Sequence, residues 1–267
     1  MVSRAISTVV DTLLFLLLVS AAAFVVTSPA AEPVDAPADE TATVVATSTA
    51  SVEYDLGGEA DVHLRARGTY AGLLARAAVA NATLDGRQLV PAGPSFAASV
   101  REKTTTVLGA NAQVSARWAP YPGAPVGGRV TVGPDPPPRA DVHVARFRVP
   151  VAVPAAEPKR TYAEVARDTA AAVTRGVLPA DGADLPLGGG PRWRGVSHRV
   201  DVLAGSESEL ARRHASAGNA TAAQAVARDE LAGVLADDLR GRFDSPEEAA
   251  EAVSTGTATV VVRRWDG

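Results

Sequence analysis

The chain has 267 residues, 46% of them apolar, enough to build the core of one large domain or two small ones and to exclude disorder throughout. Aromatic residues make up only 4%, so that core is expected to consist of Ala, Val and Leu, with a few large rings as local anchors. The net charge is −4, lysine is confined to Lys103 and Lys159, and cysteine is absent; this excludes disulfides and thiolate chemistry, and the arginines alternate with Asp, Glu and apolar residues so that no face is obviously basic and no nucleic-acid partner is expected.

Arg4 precedes an apolar run from Ala5 to Val26 that only Asp11 interrupts. A helix of about 20 residues spans the roughly 30 Å hydrocarbon layer, so residues 6–26 are expected to form a transmembrane helix. Arg4 before the span and Glu32, Asp35, Asp39 and Glu40 after it place the N-terminus in the cytoplasm and the remainder outside the cell. The expected fold class is thus an N-terminal transmembrane helix followed by a mixed α+β extracytoplasmic domain, anchored in the cell membrane by a single pass. Three fates of the segment stay open: a signal peptide cut near Ser28-Pro29-Ala30, a retained anchor, or processing close to the N-terminus.

The third fate rests on Arg4-Ala5-Ile6-Ser7-Thr8-Val9-Val10 followed by the apolar run, which resembles the prepilin signal of archaeal type IV pilins. The resemblance covers the segment to Val26 and implies a leader at 1–5, a cut between Ala5 and Ile6, and a helix that serves as membrane anchor and then packs against other pilin-like subunits in a filament. It also implies that the Asp11 carboxylate pairs with a neighbouring subunit's N-terminal amine; read without it, Asp11 is a boundary acid near the cytoplasmic interface. The arginine-rich, lysine-poor, mildly acidic composition suggests a GC-rich genome and is compatible with a halophile.

Residues 27–43, rich in Pro and Ala, read as a linker, and 44–267 as the extracytoplasmic domain, with a candidate subdivision at 154–160. Strands are expected at 44–56 and 61–67 around a Gly57-Gly58 turn, then a helix from Tyr70 to about Asn81 capped by Thr69, and a helix from Ser95 to Leu108. Strands follow at 113–118 and 128–132, the second between Pro-rich turns, and Asp141–Val153 is expected as a central strand. Thr161 caps a helix ending near Gly176, residues 195–203 read as a strand, and 206–239 as a helical stretch broken at Gly218-Asn219. Ser245-Pro246-Glu247-Glu248 is a capping box, and Thr257–Arg264 a β-branched strand closed by Trp265.

Chemistry is sparse. The histidines at 63, 143, 198 and 214 lack metal-ligand spacing, although Asp61 with His63 and Asp141 with His143 share one side of a strand. No nucleophile elbow, phosphate loop or dinucleotide fingerprint occurs, and Asp229, Glu230, Asp237 and Asp238 read as a solvated face; no enzyme activity, metal or cofactor is expected. Two of the three asparagines, Asn81 and Asn219, sit in Asn-Ala-Thr sequons and are candidate glycosylation acceptors. The expected function is a pilin-like structural component of an archaeal type IV filament or related secretion machine; the alternative is a single-pass or secreted envelope binding protein.

Overall fold

Ala38, Ala42 and Val45 fall at i, i+4 and i+7, and their burial makes Pro37–Thr47 a helix, α1. The computed structural model describes residues 37–55, 63–90, 93–153, 161–177, 198–203 and 220–266. Asp39 and Glu40 lie in the first turn of α1, where they meet the positive end of the helix dipole. Arg264 Nη1 donates to Thr41 Oγ1 at 3.2 Å and ties α1 to the last strand. The linker expected to reach Thr43, and the strand expected from Val44, are corrected accordingly: a Pro- and Ala-rich composition conceals a short apolar stripe.

Strands β1 (Thr49–Asp55) and β2 (His63–Thr69) pair antiparallel, with Thr49 opposite Thr69 and Asp55 opposite His63. The Gly57-Gly58 turn expected between them lies outside the described residues. Helix α2 (Tyr70–Ala80) follows at once, its start set by Thr69 Oγ1 accepting from the Gly72 amide at 3.0 Å, as the sequence predicts. Leu73, Leu74, Ala77 and Ala78 form its buried side. A two-residue hairpin comes next, β3 (Thr83–Leu84) and β4 (Arg87–Gln88), turning at Asp85 and Gly86 with φ of 49° and 77°. Both are left-handed, which is what a type I′ turn demands and what Asp-Gly supplies at low cost. Helix α3 (Gly93–Thr105) buries Phe96, Ala97 and Val100, and Phe96 packs on Tyr54 of β1 with ring centroids 4.7 Å apart.

Strands β5 (Ala112–Trp118), β6 (Val126–Val132), β7 (Val142–Pro150) and β8 (Thr257–Trp265) complete a six-stranded antiparallel sheet in the order β4-β3-β6-β5-β8-β7. One face is apolar. Val132, Val114, Val262 and Ala145 stand in one cross-strand row, and Val130, Ala116, Val260 and Phe147 in the next, packed beneath α1 and α2. Trp118 is the anchor ring of this core, and its Nε1–H donates to the Thr255 carbonyl at 2.8 Å, so that burial leaves no unpaired donor.

Two strand expectations are corrected. The strand read as central at 141–153 is an edge, because β8 returns from the far end of the chain to fill the place between β5 and β7. The strand expected at 195–203 is helical over 198–203, where Val200 and Leu203 are buried one turn apart. Alternating Val200 and Val202 suit a strand locally, but the segment docks as a helix on the β3–β4 hairpin. Arg87 Nη2 donates to Asp201 Oδ2 at 2.7 Å there, and His198 Nε2 lies 2.9 Å from the Gln88 carbonyl.

Helices α4 (Tyr162–Val177), α5 (Ala220–Arg242) and α6 (Pro246–Ala252) form a second packed group. Thr161 Oγ1 accepts from the Glu164 amide at 3.2 Å and opens α4, as expected. Ala223, Ala227, Leu231, Leu235 and Leu239 repeat every fourth residue along α5 and form its buried stripe, which packs along α4. At α6, Ser245 Oγ accepts from the Glu248 amide at 3.2 Å, the first half of the expected capping box, while Glu248 Oε2 accepts from the amide of Asp244, one residue before the cap, at 3.0 Å. The break expected at Gly218-Asn219 lies outside the described residues.

The expected fold class is corrected in its first half. The described residues form an α+β arrangement, and none of their helices is long and apolar enough to cross a membrane. The longest, α5, carries seven charged residues, Arg228, Asp229, Glu230, Asp237, Asp238, Arg240 and Arg242. Residues 6–26, where the transmembrane helix was expected, lie outside the described residues.

Candidate functional site

Ala5, Ile6, Asp11, Asn219 and His214 lie outside the described residues. Asn81 is the C-cap of α2, and its Nδ2 donates to the Arg129 carbonyl of β6 at 3.0 Å, so this sequon's amide fastens a helix end to the sheet. His63 pairs with Asp55 across the β1–β2 ladder, while its expected neighbour Asp61 is outside the described residues. His143 and His198 stand on different elements, and no group of three metal-ligating side chains forms among the described residues. Three of the four acids of α5 turn to arginines, Asp237 to Arg240 at 2.7 Å, Asp238 to Arg242 at 2.9 Å and Asp229 to Arg228 at 3.3 Å, while Glu230 is exposed and forms no ion pair among the described residues.

A polar junction joins the β5–β6 loop to α5. Tyr121 is 2% exposed, and its hydroxyl faces the Asp238 carboxylate without completing a well-formed hydrogen bond. Burial first, and the Asp238 charge second, push its phenol well above the ordinary tyrosine range and keep it neutral. Asp238 is held below the usual carboxylate range by Arg242, whose Nε and Nη2 donate to Oδ2 and Oδ1 at 3.1 and 2.9 Å. Gly123, at φ 77°, lets the loop close on that guanidinium: a Cβ there would lie 2.5 Å from Arg242 Nη1. Tyr121 meets Phe243 edge-on at 6.1 Å, and Tyr162 Oη donates to the Phe243 carbonyl at 2.7 Å. A neutral phenol beside a satisfied ion pair offers neither base nor nucleophile, so the junction is a clasp between sheet and helices.

The opposite face of the sheet differs. Strand alternation sends every second side chain away from α1 and α2, and the register arranges these in rows. One row reads Arg129, Arg117, Thr259, Arg148; the next Thr131, Ser115, Val261, Arg146; a third Gln113, Arg263, Val144. Arg117, Arg129, Arg146 and Arg148 are exposed, as is Val144 at 53%. None of these four arginines takes part in an ion pair among the described residues. Arg263 Nη1 donates to Gln113 Oε1 at 2.9 Å, and Gln113 Nε2 to Asp135 Oδ1 at 2.8 Å, which puts one acid at the end of the third row.

This face is the candidate site, and the charge pattern along the sequence does not reveal it. Its signal is an arginine on the polar parity of each of four strands, legible only once strand order is known. A protein-family model described as a family of unknown function (DUF7284) matches residues 10–265. No curated protein and no solved structure matches the chain.

Proposed function

Taking as premise that the chain belongs to this family of unknown function, we propose that it is a pilin-like structural subunit of a type IV surface filament or related secretion machine, with the head beginning at Pro37. One observation carries the reading. Pro37–Gly267 forms a compact unit with its own core of Ala, Val and Leu, and the most apolar stretch of the sequence, Ala5–Val26, precedes it in the chain. An apolar run of that length is suited to a membrane or to like segments of other subunits. The Arg4-Ala5-Ile6 junction before it is where a prepilin-type cut would fall. On this reading the head is held outside the cell.

The test is the N-terminal residue of the protein recovered from membranes and from sheared surface filaments. The expected result is a chain starting at Ile6 in both fractions. A chain starting near Ala31 in the medium, or one starting at Met1 and absent from membranes and filaments, would refute the reading. Asp11→Ala is expected to lower recovery in filaments, and unchanged assembly would remove Asp11 from the mechanism.

A further inference from the structure

We propose that the arginine face of the sheet docks a second copy of this chain, receiving the acidic corner formed by Asp244, Glu247, Glu248 and Glu251 at α6. The inference rests on the reading of the chain as a filament subunit and supplies what that reading lacks, a contact between heads. Its first support is charge separation. The chain is net negative, with 26 basic against 30 acidic side chains, yet the exposed side of β5–β8 carries five arginines and no strand position with an acid.

The second support is the condition of the acidic corner. Asp244, Glu247, Glu248 and Glu251 are all exposed. Glu247 and Glu251 lie at i, i+4 on one short helix, a spacing at which like charges repel, and no cation neutralises either among the described residues. Four exposed guanidiniums without ion pairs on one surface, and an unneutralised carboxylate group on another, are complementary in sign and in hydrogen-bonding geometry.

The third support is what the face lacks. Between its arginines stand Thr131, Ser115, Thr259 and Val261, with no aromatic ring on which bases could stack. A second copy brings its own matching surface in the acidic corner at α6. The two surfaces differ, so the contact is heterologous: it either closes into a ring or runs on as a filament.

A charge-swap experiment on the full chain tests this. Arg146→Glu with Arg148→Glu, and separately Glu247→Arg with Glu251→Arg, alter exposed positions, and unchanged circular-dichroism melting confirms the fold of each. The wild type is expected to self-associate at low salt and to separate at about 0.5 M NaCl, where screening acts over a few ångströms. Each variant alone is expected to lose self-association roughly tenfold or more, and an equimolar mixture to regain it. Wild-type association by either variant, or a mixture that stays apart, overturns the proposal. So does loss of binding to phosphatidylglycerol vesicles by the Arg146/Arg148 variant with no rescue in the mixture, which would assign the face to anionic lipid. If the mixture regains association but the N-terminus is not Ile6, the contact stands and the filament reading fails; if the N-terminus is Ile6 and the mixture stays apart, the reverse holds.

Discussion

Gly128 is the place where the last turn of α2 touches the sheet, and replacing it by alanine tests the account of the core directly. A Cβ at this position would lie 2.1 Å from the Ala78 carbonyl oxygen and 2.8 Å from the Ala82 amide nitrogen. Ordinary C···O contacts are no shorter than about 3.3 Å, so helix and strand must part by about 1 Å. Neither can do so freely. Asn81 Nδ2 holds the Arg129 carbonyl at 3.0 Å, Leu89 N donates to Ala82 O at 2.9 Å, and Trp118 stands directly opposite Gly128 on β5. The atoms in the way are backbone, so no rotamer change relieves the clash. Overpacking costs about 1–3 kcal/mol where side chains can adjust, and Gly128→Ala is expected at or beyond the upper end, about 3 kcal/mol. With a urea m-value of about 1–3 kcal/mol/M, the unfolding midpoint falls by about 1–3 M, followed by the fluorescence of buried Trp118. A midpoint shift corresponding to less than about 1 kcal/mol would refute the close approach of α2 to β6.

Three further outcomes follow from single sites. Gly233 sits exposed inside α5 with nothing within 4 Å of a built Cβ, so Gly233→Ala is expected to raise stability by about 0.5–1 kcal/mol in the same urea assay, and a loss would contradict the open surroundings. Tyr121→Phe removes a buried hydroxyl that completes no hydrogen bond and should change stability by less than about 0.5 kcal/mol, whereas Tyr121→Ala leaves a cavity and should cost about 3–5 kcal/mol; equal losses would mean that the phenol is bonded after all. The depressed Asp238 carboxyl contributes stability above its unfolded-state value and loses it as pH falls through its lower folded value, so Asp238→Asn should flatten the acid limb of a pH–stability curve below about pH 4 and leave the curve near neutrality parallel to wild type.

What could be read from the sequence was local. A hydroxyl before an apolar turn set the starts of α2 and α4 at Thr69 and Thr161, and Ser245-Pro246-Glu247-Glu248 set that of α6, because a cap needs only neighbours within one turn. The β3–β4 hairpin carried an equally local signal in Asp85-Gly86, but strands of two residues are too short for periodicity to announce. Helix α1 was hidden by composition, since Pro, Ala, Asp and Thr are as common in linkers as in a short amphipathic helix. The edge position of β7 was beyond local reading altogether. It depends on β8, more than a hundred residues later, inserting beside β5.

The arginine face belongs to that same non-local class, and a competing account of it can be weighed from strand positions. Edge strands are commonly charged to discourage pairing with other chains, and Arg146 and Arg148 on β7 would serve that purpose. Edge protection does not explain Arg117. Arg117 stands on β5, paired with β6 on one side and β8 on the other, and directly opposite Arg129 in register, where a like-charged pair is unfavourable and Arg117 gives no guard against strand addition. A like-charged pair kept at that cost with Arg117 on an interior strand, in line with Arg148 across Thr259, is better accounted for by something negative lying on the face. The charge-swap pair should therefore be extended inward: Arg117→Thr is expected to weaken self-association like the edge substitutions while leaving the β7 edge unchanged. An Arg117→Thr protein that associates as wild type would return the edge arginines to a protective role.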